Sequence, residues 1–325
     1  MIQPSDGTSD AGAPRTRRDR IGISIAGNAP ALIDTIKEAE AAGVEQIWMT
    51  QTPVSPDALT VYAAALGQTT RVRLGTSIVP TYPRHPLALA QQAATVAALG
   101  PGRLRLGIGP SHRPAIENTY GLPMEAPLAH LEEYVGILRA VLWEGSVDHQ
   151  GRFFTARARL PSPARVPLLI SALGAGAFRL AGSVSDGAIS WNCPVPYLRD
   201  VALPALQEGA RDAGRPAPPL VAHMWVALSA DVELVRAAAR QRLAGYARLP
   251  FYANMFAAAG YPVEADGSVG DALVDALVAM GDEPALVAQL DEALAAGLDE
   301  LLLTLVPLGD EAAERTRLFR LVGRL

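Results

Sequence analysis

Eight times along the chain a short run of apolar, mostly β-branched residues gives way to a longer amphipathic stretch, and that alternation limits the fold more than any single motif does. The apolar runs are IGISIAG (21–27), EQIWMT (45–50), RVRLGTSIV (71–79), RLRLGIG (103–109), VPLLIS (166–171), DGAIS (186–190), PLVAHMWVALS (219–229) and DELLLTLVP (299–307). They are nearly continuous rather than alternating, which is the pattern of strands buried on both faces of a parallel sheet. The stretches between them, such as PALIDTIKEAEAAG (30–43) and PLALAQQAATVAALG (86–100), carry helical spacing and end in glycine. Eight strands, each followed by helix, in one α/β domain spanning 21–325 predict a (β/α)8 TIM barrel. A doubly wound sheet is the competing arrangement. It asks for Gly-x-Gly-x-x-Gly after the first strand, and IAGNAP (25–30) does not supply it.

Two insertion segments interrupt the repeat. One spans 110–126. The other, VDHQGRFFTARA (147–158), reads as a hairpin. Helices are expected around 231–258 and 271–296, with a Gly-rich loop at 260–270; the stretch 246–270 is a candidate lid or dimer contact. Residues 1–20 lack hydrophobic periodicity and are expected to form a disordered tail, with the Arg15–Arg20 cluster as a contact arm the alternative. They contain no apolar core of the kind a secretory signal needs. No apolar run approaches a membrane span, and a cytoplasmic protein is expected. The net charge of −5 argues against nucleic acid as the main partner. The single cysteine, Cys193, excludes an intrachain disulfide and a Cys-rich zinc site.

In a barrel of this kind the chemistry sits where the strands run out. The positions to examine are therefore Gly27-Asn28, Thr50-Gln51-Thr52, Ser77–Tyr82, Gly109–Arg113, Ser171–Ala177, Ser190–Asn192, Met224–Ser229 and Thr304–Pro307. SALGAGAF (171–178) joins a strand end to a helix start through small residues. Free amides at a helix N-terminus form an anion site; a tight turn is the plainer reading. His112 lies just past a strand end, where an imidazole can reach a ligand or simply face solvent, and Arg113 beside it reads as a solvated charge. Arg84 and His85 precede a helix that starts at Pro86, a favoured first position; they meet either an anionic tail or the barrel rim. Gly-x-Ser-x-Gly, His-Glu-x-x-His and P-loop motifs are missing, and the five histidines show no ligand spacing, so no metal site is expected. A mouth so poor in acids and bases implies that a cofactor carries the reaction.

GTSIVPTYPRHPLALAQQAATV, GRLRLGIGPSHRPAIENTYGLP and HLEEYVGILRAVL, followed by SALGAGAFRLAGSVSDGAISW, together resemble the bacterial luciferase-like monooxygenase superfamily, and within it the actinobacterial branch that uses the deazaflavin coenzyme F420. The resemblance covers about 21–325. It implies a bulge in the third strand with a cis peptide at Ser77-Ile78, against which the cofactor ring lies. It further implies a hydrogen bond from Gln51 to the cofactor, a place beside it for Gly109, and a phosphate-binding turn at Ala172, Leu173, Gly174, Ala175, Gly176 and Ala177. His112 stands where sugar-phosphate dehydrogenases of the family carry a catalytic Glu, and Thr52 where relatives often carry a His; both departures count against sugar-phosphate oxidation. The resulting expectation is an F420-dependent oxidoreductase that moves a hydride to or from a small hydrophobic molecule, with His112 as proton donor and a homodimer as the usual assembly. The alternatives are an FMN-dependent monooxygenase served by a separate reductase, and a deazaflavin-binding protein without turnover. Trp191, Met224, Trp225, Phe251, Tyr252 and Phe256 are the candidate apolar lining.

Overall fold

The computed structural model describes residues 15–325. Among these residues twelve strands follow in order: β1 Ile21–Ile25, β2 Gln46–Met49, β3 Arg73–Thr76, β4 Val79–Pro80, β5 Leu104–Gly109, β6 Ser146–Gln150, β7 Thr155–Arg159, β8 Leu168–Ser171, β9 Gly187–Ser190, β10 Leu220–Ala227, β11 Val278–Met280 and β12 Glu300–Leu305. Eight of them close on themselves, all parallel, in the order β1-β2-β3-β5-β8-β9-β10-β12 and back to β1. These are the eight apolar runs of the sequence, and the fold is the expected (β/α)8 barrel. The 147–158 insertion is the antiparallel hairpin β6–β7. Among the described residues no helix is long and apolar enough to cross a membrane.

Two expectations change. Residues 271–296 are not all helical: β11 lies between the helices Asp271–Leu277 and Glu283–Ala295 and pairs with the overhanging end of β10, Trp225 to Val278 and Ala227 to Met280. Three apolar residues carry no strand period of their own; the long neighbour imposes it. The tail boundary also moves. Residues 15–20 pack on the N-terminal face of the barrel, where Arg20 donates to the carbonyls of Leu298 and Asp299 at 2.6 and 2.8 Å and Arg15 reaches Glu300 at 3.0 Å. The arginines of the 15–20 cluster are spent on this face. Residues 1–14 lie outside the described residues.

The barrel interior is layered. At the N-terminal end Glu300, almost wholly buried, receives Arg105 through both oxygens (2.6 and 3.1 Å) and Gln46 at 3.1 Å. Burial pushes the Glu300 carboxyl up, but the charge and hydrogen bonds of Arg105, with Arg15 and Gln46, outweigh it and leave the group below the usual carboxylate range. Above this floor Trp48 lies across the barrel, with the Arg105 guanidinium 4.9 Å from its ring centre. A Cβ on Gly22 or Gly75, in the two strands flanking β2, would approach the indole to 2.5 and 2.3 Å, so only glycine leaves room for it. Leu169, Ile189, Val221 and Leu302 complete the layer.

The third strand bulges on its way to the mouth. Gly75 pairs with Arg105 in β5, but beyond the break Val79 pairs with Ile108, so β3–β4 carries one residue more than its partner. The Ser77-Ile78 peptide inside this bulge is cis, as the resemblance implies. Where the ladder lapses the Thr76 side chain takes it over: its hydroxyl donates to the Gly107 carbonyl at 2.7 Å and accepts the Gly107 amide at 2.9 Å, with both residues fully enclosed. Thr76→Val keeps the shape and orphans both backbone groups. We expect it to cost about 2 kcal/mol or more, read as a lower urea midpoint at unchanged slope, while Thr76→Ser retains most of the stability; equal midpoints for Val and wild type would refute the bridging role.

Candidate active site

A cavity of about 630 Å³ opens at the C-terminal ends of the strands. One side of it is small, polar and largely backbone. Thr50 and Gln51 follow β2, Ser77 and Ile78 form the bulge, and Ser171, Ala172, Leu173 and Gly174 lead from β8 into the helix Ala175–Val184. Thr50 Oγ1 and Ser77 Oγ lie 3.4 Å apart. Gln51 donates to Asp57 at 3.2 Å, which leaves its side-chain oxygen buried without a partner. At the helix start, Ala177 and Phe178 donate back to the Gly174 carbonyl, no side chain caps the end, and a Cβ on Gly174 would meet nothing within 4 Å. The helix start is therefore uncapped by any side chain, and its partial positive charge lies beside the cavity at Gly174.

Another part of the lining is an aromatic cluster: Trp191, Tyr246, Phe251 and Tyr252, with Met124 and Leu249. Tyr246 ends the helix Val232–Ala247, and Phe251 and Tyr252 begin Pro250–Ala258. Ser111, in the left-handed region at φ 63°, turns the chain after β5 and delivers His112 among them. The imidazole stacks on Phe251 (5.3 Å between ring centres, 25°) and stands edge-on to Tyr246 and Tyr252. Its Nδ1 is buried without a partner. Burial lowers the pKa of His112, and no carboxylate faces it to raise that value again. Burial favours the neutral imidazole, which can accept a proton or act as a hydrogen-bond partner; the expected donor role calls for the imidazolium, which burial disfavours.

The sequence-derived residues divide as follows. His112, Gln51, Ser77, Ile78, Ala172, Leu173, Gly174 and Ala177 line the cavity; Gly109, Ala175 and Gly176 do not. Gly109 serves packing instead, since a Cβ there would approach Ser171 Oγ to 2.1 Å. Of the apolar candidates Trp191, Phe251 and Tyr252 line the cavity, whereas Met224, Trp225 and Phe256 do not; Trp225 donates to Asn192 at 2.8 Å and Phe256 is core. Asn28 is spent capping the helix Ala29–Ala41. Arg84 pairs with Asp57 at 2.8 Å and His85 caps the helix Pro86–Leu99, so both belong to the rim. Arg113 is paired with Glu117 and Arg179 with Glu208. Tyr246 and Leu249 fall in the 246–270 stretch expected to be a lid or dimer contact, but were not named as cavity lining. The signal available was the Pro250 break with Tyr246 before it and Phe251-Tyr252 after, which turns aromatic groups from two helices toward one point.

Comparison with known proteins agrees with this geometry. The model of the family described as luciferase-like monooxygenase matches residues 10–300. The chain belongs to that family. It is 36% identical over 201 residues, 59% of each chain, to the F420-dependent glucose-6-phosphate dehydrogenase of Nakamurella multipartita. Its fold superimposes on an F420-dependent secondary alcohol dehydrogenase in complex with an F420–acetone adduct (TM-score 0.79, 21% identity, 93% of this chain and 97% of that one). It also superimposes on the FMN-bound oxygenating constituent of 3,6-diketocamphane monooxygenase from Pseudomonas putida (TM-score 0.70, 16% identity, 91% of each).

Two further histidines lie buried near the site. His223 is enclosed beneath Trp191, and burial pulls its pKa down to about 3. His130 stacks on Tyr82 at 3.9 Å, both its nitrogens lack partners, and burial, opposed by Glu133, takes it to about 4. With His112 these groups are neutral when folded, yet take a proton near pH 6.5 when unfolded. Below pH 6.5 the unfolded chain thus binds more protons, and stability falls as pH falls, continuing to about pH 4 for His130 and pH 3 for His223. His130→Phe removes two unpaired buried nitrogens, so it should match or exceed wild type at pH 7.5 and lose less stability by pH 5. Urea midpoints at the two pH values check this; a steeper acid loss in the variant would contradict it.

Proposed function

We propose that this luciferase-like chain is an F420-dependent oxidoreductase acting on a small, uncharged, apolar organic substrate. The observation that carries the reading is the division of the cavity into a polar, backbone-lined side and an aromatic side. When bound, F420 supplies two-electron hydride chemistry at C5 of its deazaflavin ring. The chain's features fit that group: a buried, unpartnered acceptor at Gln51 Oε1 suits the N–H edge of the ring, and the uncapped start of the helix at Gly174 suits a phosphate. Ser77 and Ile78 support one ring face, while Trp191, Phe251 and Tyr252 line the aromatic part and exclude water from the substrate. His112, neutral and unpartnered at Nδ1, is the group placed to hold or accept a substrate proton.

The substrate class follows from charge. Among the described residues lining the cavity Arg113 is the one charged side chain, and Glu117 already neutralises it. A phosphorylated sugar would find no free counter-charge in the aromatic half, so the chain's likeness to a glucose-6-phosphate dehydrogenase extends to cofactor use and not to substrate. The FMN-bound neighbour supports a second reading, an FMN monooxygenase.

Side-by-side titration of the purified protein with F420 and FMN, followed by absorbance and fluorescence, separates the two. Micromolar binding of F420 without FMN binding is expected; the reverse result transfers the protein to the oxygenases, and tight F420 binding inert to every hydride acceptor would leave a carrier. Gly174→Asp sharpens the test. At φ −93° and ψ 161° an Asp caps the helix and adds a few tenths of a kcal/mol, but its carboxylate would repel the phosphate. Thermal stability held or raised, with F420 affinity lowered about tenfold or more, is the expected pair of results; unchanged affinity would remove the phosphate from this helix end.

A further inference from the structure

One hydroxyl in the aromatic half has a free proton and a fixed position. Trp191 Nε1 donates to the Tyr246 oxygen at 3.1 Å. An indole N–H is a donor only, so the bond occupies a lone pair of the hydroxyl and leaves its proton unspent. Among the described residues no acceptor takes that proton, and Tyr246 lines the cavity. Trp191 is itself held from below. His223 stacks against it at 3.7 Å and 21°, accepts the Asn192 amide at Nδ1 (3.4 Å), and so carries its own proton on Nε2, which meets Thr304 Oγ1 at 3.0 Å. Residues of β10 and β12 and the residue that follows β9 thereby fix one indole, and the indole fixes one hydroxyl.

We infer that Tyr246 donates a hydrogen bond to an oxygen on the substrate's reacting carbon, which makes the substrate a ketone or aldehyde, or the alcohol that corresponds to it. That the carbon is the reacting one rests on the oxidoreductase reading above; the hydrogen bond does not. Each donor in the series Trp191, Tyr246, substrate polarises the next. A donor held in place without its proton engaged costs no reorganisation when charge grows on the oxygen it faces. Burial raises the Tyr246 pKa, opposed by the Trp191 bond, so the tyrosine keeps its proton throughout. His112 stands edge-on to the same ring at 6.4 Å between centres, giving a second polar group on the same side of the cavity. An isolated C=C presents no oxygen to this pair, and nothing in the aromatic wall would distinguish it from any other apolar group.

Acetophenone and α-methylstyrene, which differ only by C=O against C=CH2, make the matched probes. They are titrated calorimetrically into wild type, Tyr246→Phe and Trp191→Phe, and the carbonyl stretch of bound ¹³C-labelled acetophenone is read by infrared spectroscopy. Wild type should prefer the ketone by about three- to tenfold, the span of one net hydrogen bond, with the stretch shifted below its frequency in hydrocarbon. Tyr246→Phe should abolish the preference and the shift while binding α-methylstyrene as before, which also certifies its fold. Trp191→Phe should lose part of both. No preference in wild type, a preference that survives in Tyr246→Phe, or binding of neither probe overturns the inference. F420 titrated into the same proteins keeps the readings apart: discrimination of the probes without F420 binding sinks the cofactor proposal and leaves the Tyr246 donor standing, and F420 binding without discrimination does the opposite.

Discussion

The hydroxyl of Thr76 is the interaction on which the site depends. A parallel barrel closes only if every neighbouring pair of strands shares a ladder, and a ladder does not tolerate an extra residue without orphaning backbone groups in the interior. Between β3 and β5 one oxygen serves as donor and acceptor at once, so the strand can depart from its partner and rejoin it with the register changed by one. What is gained is a stretch of strand, Ser77-Ile78, that faces the mouth instead of the wall. The close approach also dictates the residue opposite, because a Cβ on Gly107 would run into the Thr76 carbonyl at 1.9 Å.

Below that bulge the barrel sorts its contents by polarity. Glu300, Arg105 and Gln46 satisfy one another at the floor, where a buried carboxylate is tolerable only because its partner is held bidentate. Trp48 and four aliphatic residues separate this charged layer from the mouth. The mouth in turn is almost free of charge, and its polar atoms are amides, hydroxyls, one glutamine and one imidazole. Charged groups near it are paired within the rim, Arg84 with Asp57 and Arg113 with Glu117. A site built this way leaves charge to be brought by whatever binds.

Much of the fold is legible in the sequence because strands buried on both faces must be apolar throughout, and that produced eight unmistakable runs. β11 was not legible, since Val278–Met280 is a strand only by virtue of the overhang of β10. Strand-end residues were legible by topology: once a barrel is inferred, Gln51, Ser77, His112 and Leu173 follow from position. Tyr246 could not be found that way, because it reaches the mouth from a helix that follows β10 and belongs to no strand end. Arg84 and His85 show the converse: chemically suggestive side chains at the right height that the local backbone consumes as a helix cap and an ion pair. Chemical type marks a candidate; only the partners decide whether it is free.

The docking of residues 15–20 has a practical side. Arg20 is tied to the carbonyls of Leu298 and Asp299, and Arg15 to Glu300, all at the end of the barrel remote from the cavity. Residue 15 therefore lies at the floor. A surface, label or fused protein joined directly at residue 15 would hold the molecule by its base, at the end of the barrel remote from the cavity.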